Sequence, residues 1–406
     1  MSFLRNMLLA RYLTKADFGL AATFAISMAM LELVGRMALG QQVVQARDGG
    51  DDAFQRNAQV FQLAAGVTSA LLLFLASGVL AEMLGVPEQA WAFGLLALVP
   101  LCLGLENLDT YRFQRELQFK PRVLCEFVPQ FLVTLAIWPL LVWLGDYRVV
   151  LWVIIGKSVL SVLMTHLLAK RSYRLAWDRS ISRKIVAFSW PMVINGFLIF
   201  ASQQADQLMV GSQYSMEQLA SYAIPVSIVM VPWILFAQVV GPVSMSVLSS
   251  VQERKEEFMD KCRQTVDFSV VATVIVTLPL IVSGEQIVVT VFGGRYAGSS
   301  ELMAIMATAS ALRFLRVAPT TAAMALGDTK NLMWANVARS SSLLLVLGVI
   351  AIRGSIEWVA ACAVVGEAVA LVVSFMLMSS KHPFSAHLIL RPCVYLSSCV
   401  LVGWLI

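Results

Sequence analysis

Residues 60–84 read VFQLAAGVTSALLLFLASGVLAEML, an apolar run whose one charge, Glu82, stands near its end. A helix rises about 1.5 Å per residue, so roughly 20 apolar residues cross a hydrocarbon core ~30 Å thick. This run is long enough. Its apolar residues are continuous rather than alternating, which excludes the period-2 strands of an outer-membrane barrel. Comparable runs occupy Phe18–Ala38, Trp91–Thr110, Arg122–Leu144, Val149–Ala169, Ile185–Val210, Leu219–Leu248, Phe268–Phe292, Leu302–Leu326, Leu332–Ile352, Ser355–Met378 and Leu388–Ile406. A shorter apolar stretch, Ser2–Ala10, precedes them. The sequence therefore predicts an all-α integral membrane bundle of about 12 to 13 transmembrane helices. Composition agrees, with 59% of the 406 residues hydrophobic and 14% charged, against about 45–50% and about 25% in soluble domains.

The loops carry an asymmetric charge. One alternate set holds Arg47, Arg56, Arg112, Arg115, Lys120, Arg122, the linker residues Lys170 through Lys184, Arg254, Lys255, Lys261, Arg263, Lys330 and Lys381. The other set holds only Arg11, Lys15, Arg148, Arg295 and Arg353. Cytoplasmic connections concentrate Lys and Arg, so residues 170–184 and 249–265 are expected in the cytoplasm and 211–217 outside. The basic residues are dispersed by loop rather than gathered on one face, so no nucleic-acid partner is expected.

Leu13–Ala22 aligns with Tyr214–Ala223 half a chain later, and in the same register Gly40 falls on Gly241. Each copy is a short outer turn followed by a helix running inward, the pattern of a parallel repeat. The expected organisation is a two-lobed bundle related by that pseudo-repeat. Residues 1–169 form the N-terminal lobe, with a shortened first helix. Residues 170–184 are a cytoplasmic linker, 185–380 the C-terminal lobe, and 388–406 an additional transmembrane helix.

Four stretches in order carry a family resemblance: Ala10–Gly19 (ARYLTKADFG), Leu39–Gln45 (LGQQVVQ), Phe113–Lys120 (FQRELQFK), and Phe188–Pro191 (FSWP) through Asp206–Gly211 (DQLMVG). They resemble the oligosaccharide flippases of Wzx type, colanic-acid exporter branch, within the multidrug/oligosaccharidyl-lipid/polysaccharide exporter superfamily. The resemblance implies alternating access in a multi-pass protein of the bacterial inner membrane. It implies an undecaprenyl-pyrophosphate-linked oligosaccharide as cargo, membrane lipids and polysaccharide polymerase machinery as partners, and no cofactor beyond an H+ or Na+ gradient.

Ionisable side chains inside a span cost roughly 2.5–3.5 kcal/mol each, so each needs a partner, water or a purpose. The candidates are Glu32, Arg36, Glu126, Lys157, Asp206, Arg313, Arg316, Arg339 and Glu367. A pyrophosphate needs cationic donors, and the guanidinium fork fits its oxygens. Arg36, Lys157, Arg313 and Arg316 are therefore the expected headgroup-binding residues. Arg313 and Arg316, three residues apart, repel one another and call for an external anion or a watery cavity; the alternative is that they snorkel to headgroups. Glu32 is spaced to pair with Arg36. Asp206, Glu367 and Glu32 are candidates for ion coupling, with capping of a turn at Gly211 the alternative for Asp206. Glu106, Asp109 and Glu126 are expected to pair with Arg112, Arg115 and Arg122. Trp138, Trp143, Trp152 and Trp233 read as interfacial anchors.

No His or Cys spacing suggests a metal site, and no catalytic Ser/His/Asp arrangement appears. A multidrug cation antiporter or a lipid II flippase of the same superfamily are the nearest alternatives in function. A membrane polysaccharide polymerase or ligase is more remote, because the expected outer loops are only a few residues long.

Overall fold

In the computed structural model, residues 2–46 and 48–381 are described; the span expected at 388–406 lies outside them. The described chain is helical throughout: α1 (Ser2–Tyr12), α2 (Lys15–Gln45), α3 (Asp52–Met83), α4 (Ala90–Leu96), α5 (Leu98–Leu105), α6 (Asp109–Arg115), α7 (Lys120–Leu144), α8 (Arg148–Leu168), α9 (Arg179–Gln213), α10 (Met216–Ser250), α11 (Lys255–Val282), α12 (Gly284–Phe292), α13 (Ser300–Ala325), α14 (Thr329–Ser340), α15 (Ser342–Ala351) and α16 (Ile356–Lys381). Among the described residues, 9 helical segments are long and apolar enough to cross a membrane. The protein is an all-α, multi-pass membrane protein. Helices α2 and α9 cover two further expected spans, with residues 18–35 holding the single charge Glu32 and residues 185–202 holding none.

Local chemistry sets the ends. Thr14 is extended and its hydroxyl accepts from the Asp17 backbone N–H at 3.1 Å, satisfying a donor left free by the first turn of α2. Asp178 does the same for α9, accepting from Ser180 and Ile181 N–H at 2.7 and 3.1 Å. Gly145, left-handed at φ 69°, closes α7.

Three expected spans are built differently. The run Trp91–Thr110 is broken at Ala97 and ends at Leu105, so Asp109 and Thr110 belong to the separate helix α6. The run Leu332–Ile352 breaks at Ser341 into α14 and α15. Phe268–Phe292 is divided at Ser283, and the expected connection 249–265 is already helical from Lys255.

The chain forms two compact units, Met1–Ala220 and Ser221–Ile406. In the first, the core gathers Phe24, Leu73, Phe93, Leu96 and Leu151, with Phe24 and Phe93 edge to face at 5.0 Å between centroids. Helices α3 and α5 meet backbone to backbone, because a Cβ on Gly66 would stand 2.6 Å from Pro100 O and 2.7 Å from Gly104 Cα. Only two glycines can sit there.

In the second unit α13 is central, 78% of its apolar window being buried, and it packs against α11 and α16. Phe236, Val240 and Phe314 form one apolar cluster beside it, and Leu248, Phe258, Ala322 and Met378 another. Buried Ser269, Thr273 and Thr277 on α11 donate to the carbonyls four residues back, so their hydroxyls cost no unmade hydrogen bond.

Candidate functional site: a buried arginine cluster

The site lies where α13, α14 and α16 meet at mid-span. Arg313 stands near the middle of α13 and Glu367 near the middle of α16, while Arg339 ends α14 at the break with α15. At ~1.5 Å per residue these side chains start roughly 17 Å or more from either end of α13 and α16. Glu367 is 1% exposed. Its Oε1 accepts from Arg313 Nε at 2.7 Å and lies 2.8 Å from Arg339 Nε. Arg316 Nε approaches Oε2 at 3.3 Å without hydrogen-bond alignment, so both atoms stay unsatisfied. Arg316 instead donates through a terminal nitrogen to Asn336 Oδ1 at 3.1 Å.

The surroundings fix this arrangement. Trp233 lies beneath the Arg313 guanidinium at 5.5 Å, a cation–π contact, and packs its edge on Phe314. Asn331 and Ser374 exchange hydrogen bonds that tie α14 to α16 below the cluster. Gly366 lets the α14–α15 junction approach, since a Cβ there would stand 2.6 Å from Ser342 Oγ and 3.0 Å from Arg339 O. Three guanidinium groups thus face one carboxylate, and the cluster carries two positive charges in excess. In a low-dielectric interior such an excess is costly unless an anion offsets it.

The sequence-derived candidates are distributed unequally. Arg313, Arg316 and Glu367 come together, and the expected unrelieved repulsion between the two arginines is relieved by Glu367. Their guanidinium groups turn to that carboxylate rather than toward the ends of the span. Lys157 is half-buried on α8 in the first unit, next to buried Ser158. Asp206 is half-buried on α9, its Oδ1 accepting from the Gln207 N–H at 2.9 Å. It caps no turn at Gly211, because α9 continues to Gln213. The side chains of Glu32 and Arg36 lie outside the described residues. Trp233, expected as an interfacial anchor, covers Arg313 instead.

A second polar constellation closes one end of the first unit. Asn107 Oδ1 accepts from Gln55, Gln59 and the Asp109 N–H, and Asn107 Nδ2 donates to Arg171 O at 2.9 Å. Asp109 accepts from Arg112 Nε at 2.7 Å and from the Lys170 and Arg171 N–H groups at 2.8 and 3.1 Å. Burial alone would push the Asp109 carboxyl up, but these donors outweigh it and hold the group below the usual carboxylate range. Of the expected partners, Arg122 pairs with Glu126 at 2.6 Å. Arg115 instead donates to Val44 O and Ala46 O, and Glu106 accepts from Ser161 Oγ at 2.8 Å.

Residues 8–301 match the family described as "Polysaccharide biosynthesis protein". The chain belongs to that family. No curated protein sequence matches the chain. Solved structures share its fold. An inward-facing multidrug resistance MATE family transporter of the MOP superfamily superposes with a TM-score of 0.70 at 13% identity, covering 94% of this chain and 93% of its own. The lipid II flippase MurJ in an inward closed conformation does so with a TM-score of 0.71 at 13% identity, covering 99% and 95%. At that identity the likeness shows the fold alone.

Sequence reasoning counted Arg339 among the intramembrane charges without giving it a role, and passed over Asn336 and Gly366. Gly366 offered only a faint signal, an isolated glycine within a helical run, which costs about 1 kcal/mol relative to alanine. Of the second constellation, the pairing of Asp109 with Arg112 was expected, while Asn107 carried no signal, because a polar residue at the end of an apolar run reads as an ordinary loop.

Proposed function

We propose that this member of the polysaccharide biosynthesis family is a flippase. It moves undecaprenyl-pyrophosphate-linked oligosaccharide from the cytoplasmic to the periplasmic leaflet of a bacterial inner membrane, by alternating access, for surface polysaccharide assembly. The observation that carries this reading is the mid-span cluster of Arg313, Arg316 and Arg339 around a single Glu367. A pyrophosphate bearing a lipid on one side and a sugar on the other keeps two ionised oxygens at neutral pH, which matches the two positive charges in excess. Arginine forks suit such oxygens bidentately. The unaligned Arg316 Nε is a donor ready for an acceptor. In this reading Glu367 holds the three side chains in place between transport cycles.

A cationic drug gains nothing from this cluster, so the multidrug reading, which the MATE likeness would otherwise favour, is the weaker one. A null strain distinguishes them. It should accumulate lipid-linked oligosaccharide on the cytoplasmic leaflet while its surface polysaccharide falls. A strain that keeps its polysaccharide and loses only drug tolerance would overturn the proposal.

A further inference from the structure

The segment between α8 and α9 is extended, and its backbone is fastened to the first unit at successive points. Asp109 accepts from the N–H groups of Lys170 and Arg171, and Asn107 donates to Arg171 O. Tyr173 donates through its hydroxyl to Gly104 O at 3.3 Å, Ala176 N–H to Arg56 O at 3.4 Å, and Asn57 Nδ2 to Asp178 O at 3.0 Å. Arg171 is turned inward, onto Gly50 O and Gln55. A strap fixed in this way must present its remaining side chains outward. Arg174, Leu175 and Trp177 are exposed, the last two at 49% and 65%. Arg179 and Arg183, one turn apart on α9, extend the same surface.

Depth is marked by Trp177, whose ring stacks on Phe61 at 5.4 Å. Phe61 lies where α3 changes from the polar DAFQRNAQ to the apolar run that follows. That change of character is where a spanning helix passes from headgroups into hydrocarbon, the level that tryptophan favours. Arg174, Arg179 and Arg183 form no ion pair among the described residues. Of the acids at this end of the first unit, Asp178 caps α9, Asp52 pairs with Arg56, and Asp48 pairs with Lys184. An exposed aromatic, an exposed leucine and three guanidinium groups, against the one carboxylate of Asp178 within residues 174–183, therefore share one level of the bundle.

We propose that residues 174–183 form a docking surface for the anionic phospholipid headgroups of the leaflet on the basic side of the bundle. Trp177 and Leu175 enter the interface, and Arg174, Arg179 and Arg183 take lipid phosphates. This rests on charge complementarity and on the depth set by Phe61, and is independent of the cargo. Basic residues held against an anionic leaflet each strengthen the attraction.

The test uses the full chain reconstituted into phosphatidylcholine vesicles containing brominated phosphatidylglycerol or, separately, brominated phosphatidylcholine. Quenching that disappears in the Trp177→Phe protein reports lipid at the strap. It should be stronger with the brominated phosphatidylglycerol, and the preference should be lost in an Arg174→Gln/Arg179→Gln/Arg183→Gln protein. The triple variant's thermal midpoint in neutral lipid controls for folding. Equal Trp177-dependent quenching by both lipids, or a preference that survives the triple change, would overturn the proposal. So would a folded protein with no Trp177-dependent quenching.

Discussion

Arg339 Nε lies 2.8 Å from Glu367 Oε1, so the end of α14 is joined to the middle of α16 through a carboxylate with almost no solvent contact. The same oxygen accepts from Arg313, and Arg316 is held close by. One acid thus organises three bases.

Removing that acid should be costly. Glu367→Gln keeps the shape but leaves the buried Arg316 and the half-buried Arg313 and Arg339 facing a neutral amide. Loss of one partner from a buried ion pair typically costs about 3–5 kcal/mol. The expected result is a clear fall in the thermal midpoint of the purified protein, partly restored by inorganic pyrophosphate. An unchanged midpoint would show that Glu367 does not neutralise the cluster.

Removing one base should act differently. Two guanidinium groups would still flank Glu367, so Arg313→Ala and Arg316→Ala proteins should insert and fold much as wild type does. Charge-assisted hydrogen bonds contribute roughly 1.5–3 kcal/mol each, so surface polysaccharide output should drop by about tenfold or more. Lysine at either position should rescue only in part, because the charge returns without the fork. Wild-type output from both alanine variants would reduce the cluster to a structural role.

How much of this was legible from the amino-acid sequence follows from what makes a signal local. Arg313, Arg316 and Glu367 stand out because a charge within an apolar run is expensive wherever the run packs. That they meet, with Arg339 and Trp233, depends on how α13, α14 and α16 pack, and no periodicity encodes that. The breaks at Ala97 and Ser341 were hidden for a related reason. Ala97 lies in an apolar run, where Pro100 in the first turn of α5 can give no N–H to the carbonyl of Leu96, and Ser341 stands in the short polar stretch Arg339–Ser342 (RSSS), too brief to end the span expected at Leu332–Ile352. The strap at 170–178 was visible as a basic linker, while its attachment to Asn57, Asn107 and Asp109 joins positions far apart in the chain.

That attachment should respond to acid. Asp109 is held below the usual carboxylate range, about 3.9 for a free side chain. Its contribution is therefore complete above that usual value and is lost as the pH falls through the lowered one. Protease cleavage within 172–177 should stay slow from neutral pH down through the usual carboxylate range and accelerate only at more acidic pH. An Asp109→Asn protein should be cleaved faster already at neutral pH. Cleavage that accelerates near pH 6 would point to a different group.

Topology offers an independent check on the charge asymmetry of the loops. Single cysteines at Arg174 and Lys255 should react with a membrane-impermeant thiol reagent only after the cytoplasmic side is opened, and one at Ser212 should react from outside. The reverse pattern would invert the orientation and with it the direction of transport.

If the bundle carries a lipid-linked pyrophosphate across the membrane, reconstituted transport will report it. Purified protein in proteoliposomes would be loaded with a fluorescent polyprenyl-pyrophosphate-linked oligosaccharide, with an impermeant quencher reporting which leaflet holds it. Wild-type protein should move the lipid between leaflets, free pyrophosphate should compete, and the Arg313→Ala/Arg316→Ala protein should be inactive. Equal movement in protein-free vesicles, or in the double variant, would contradict it.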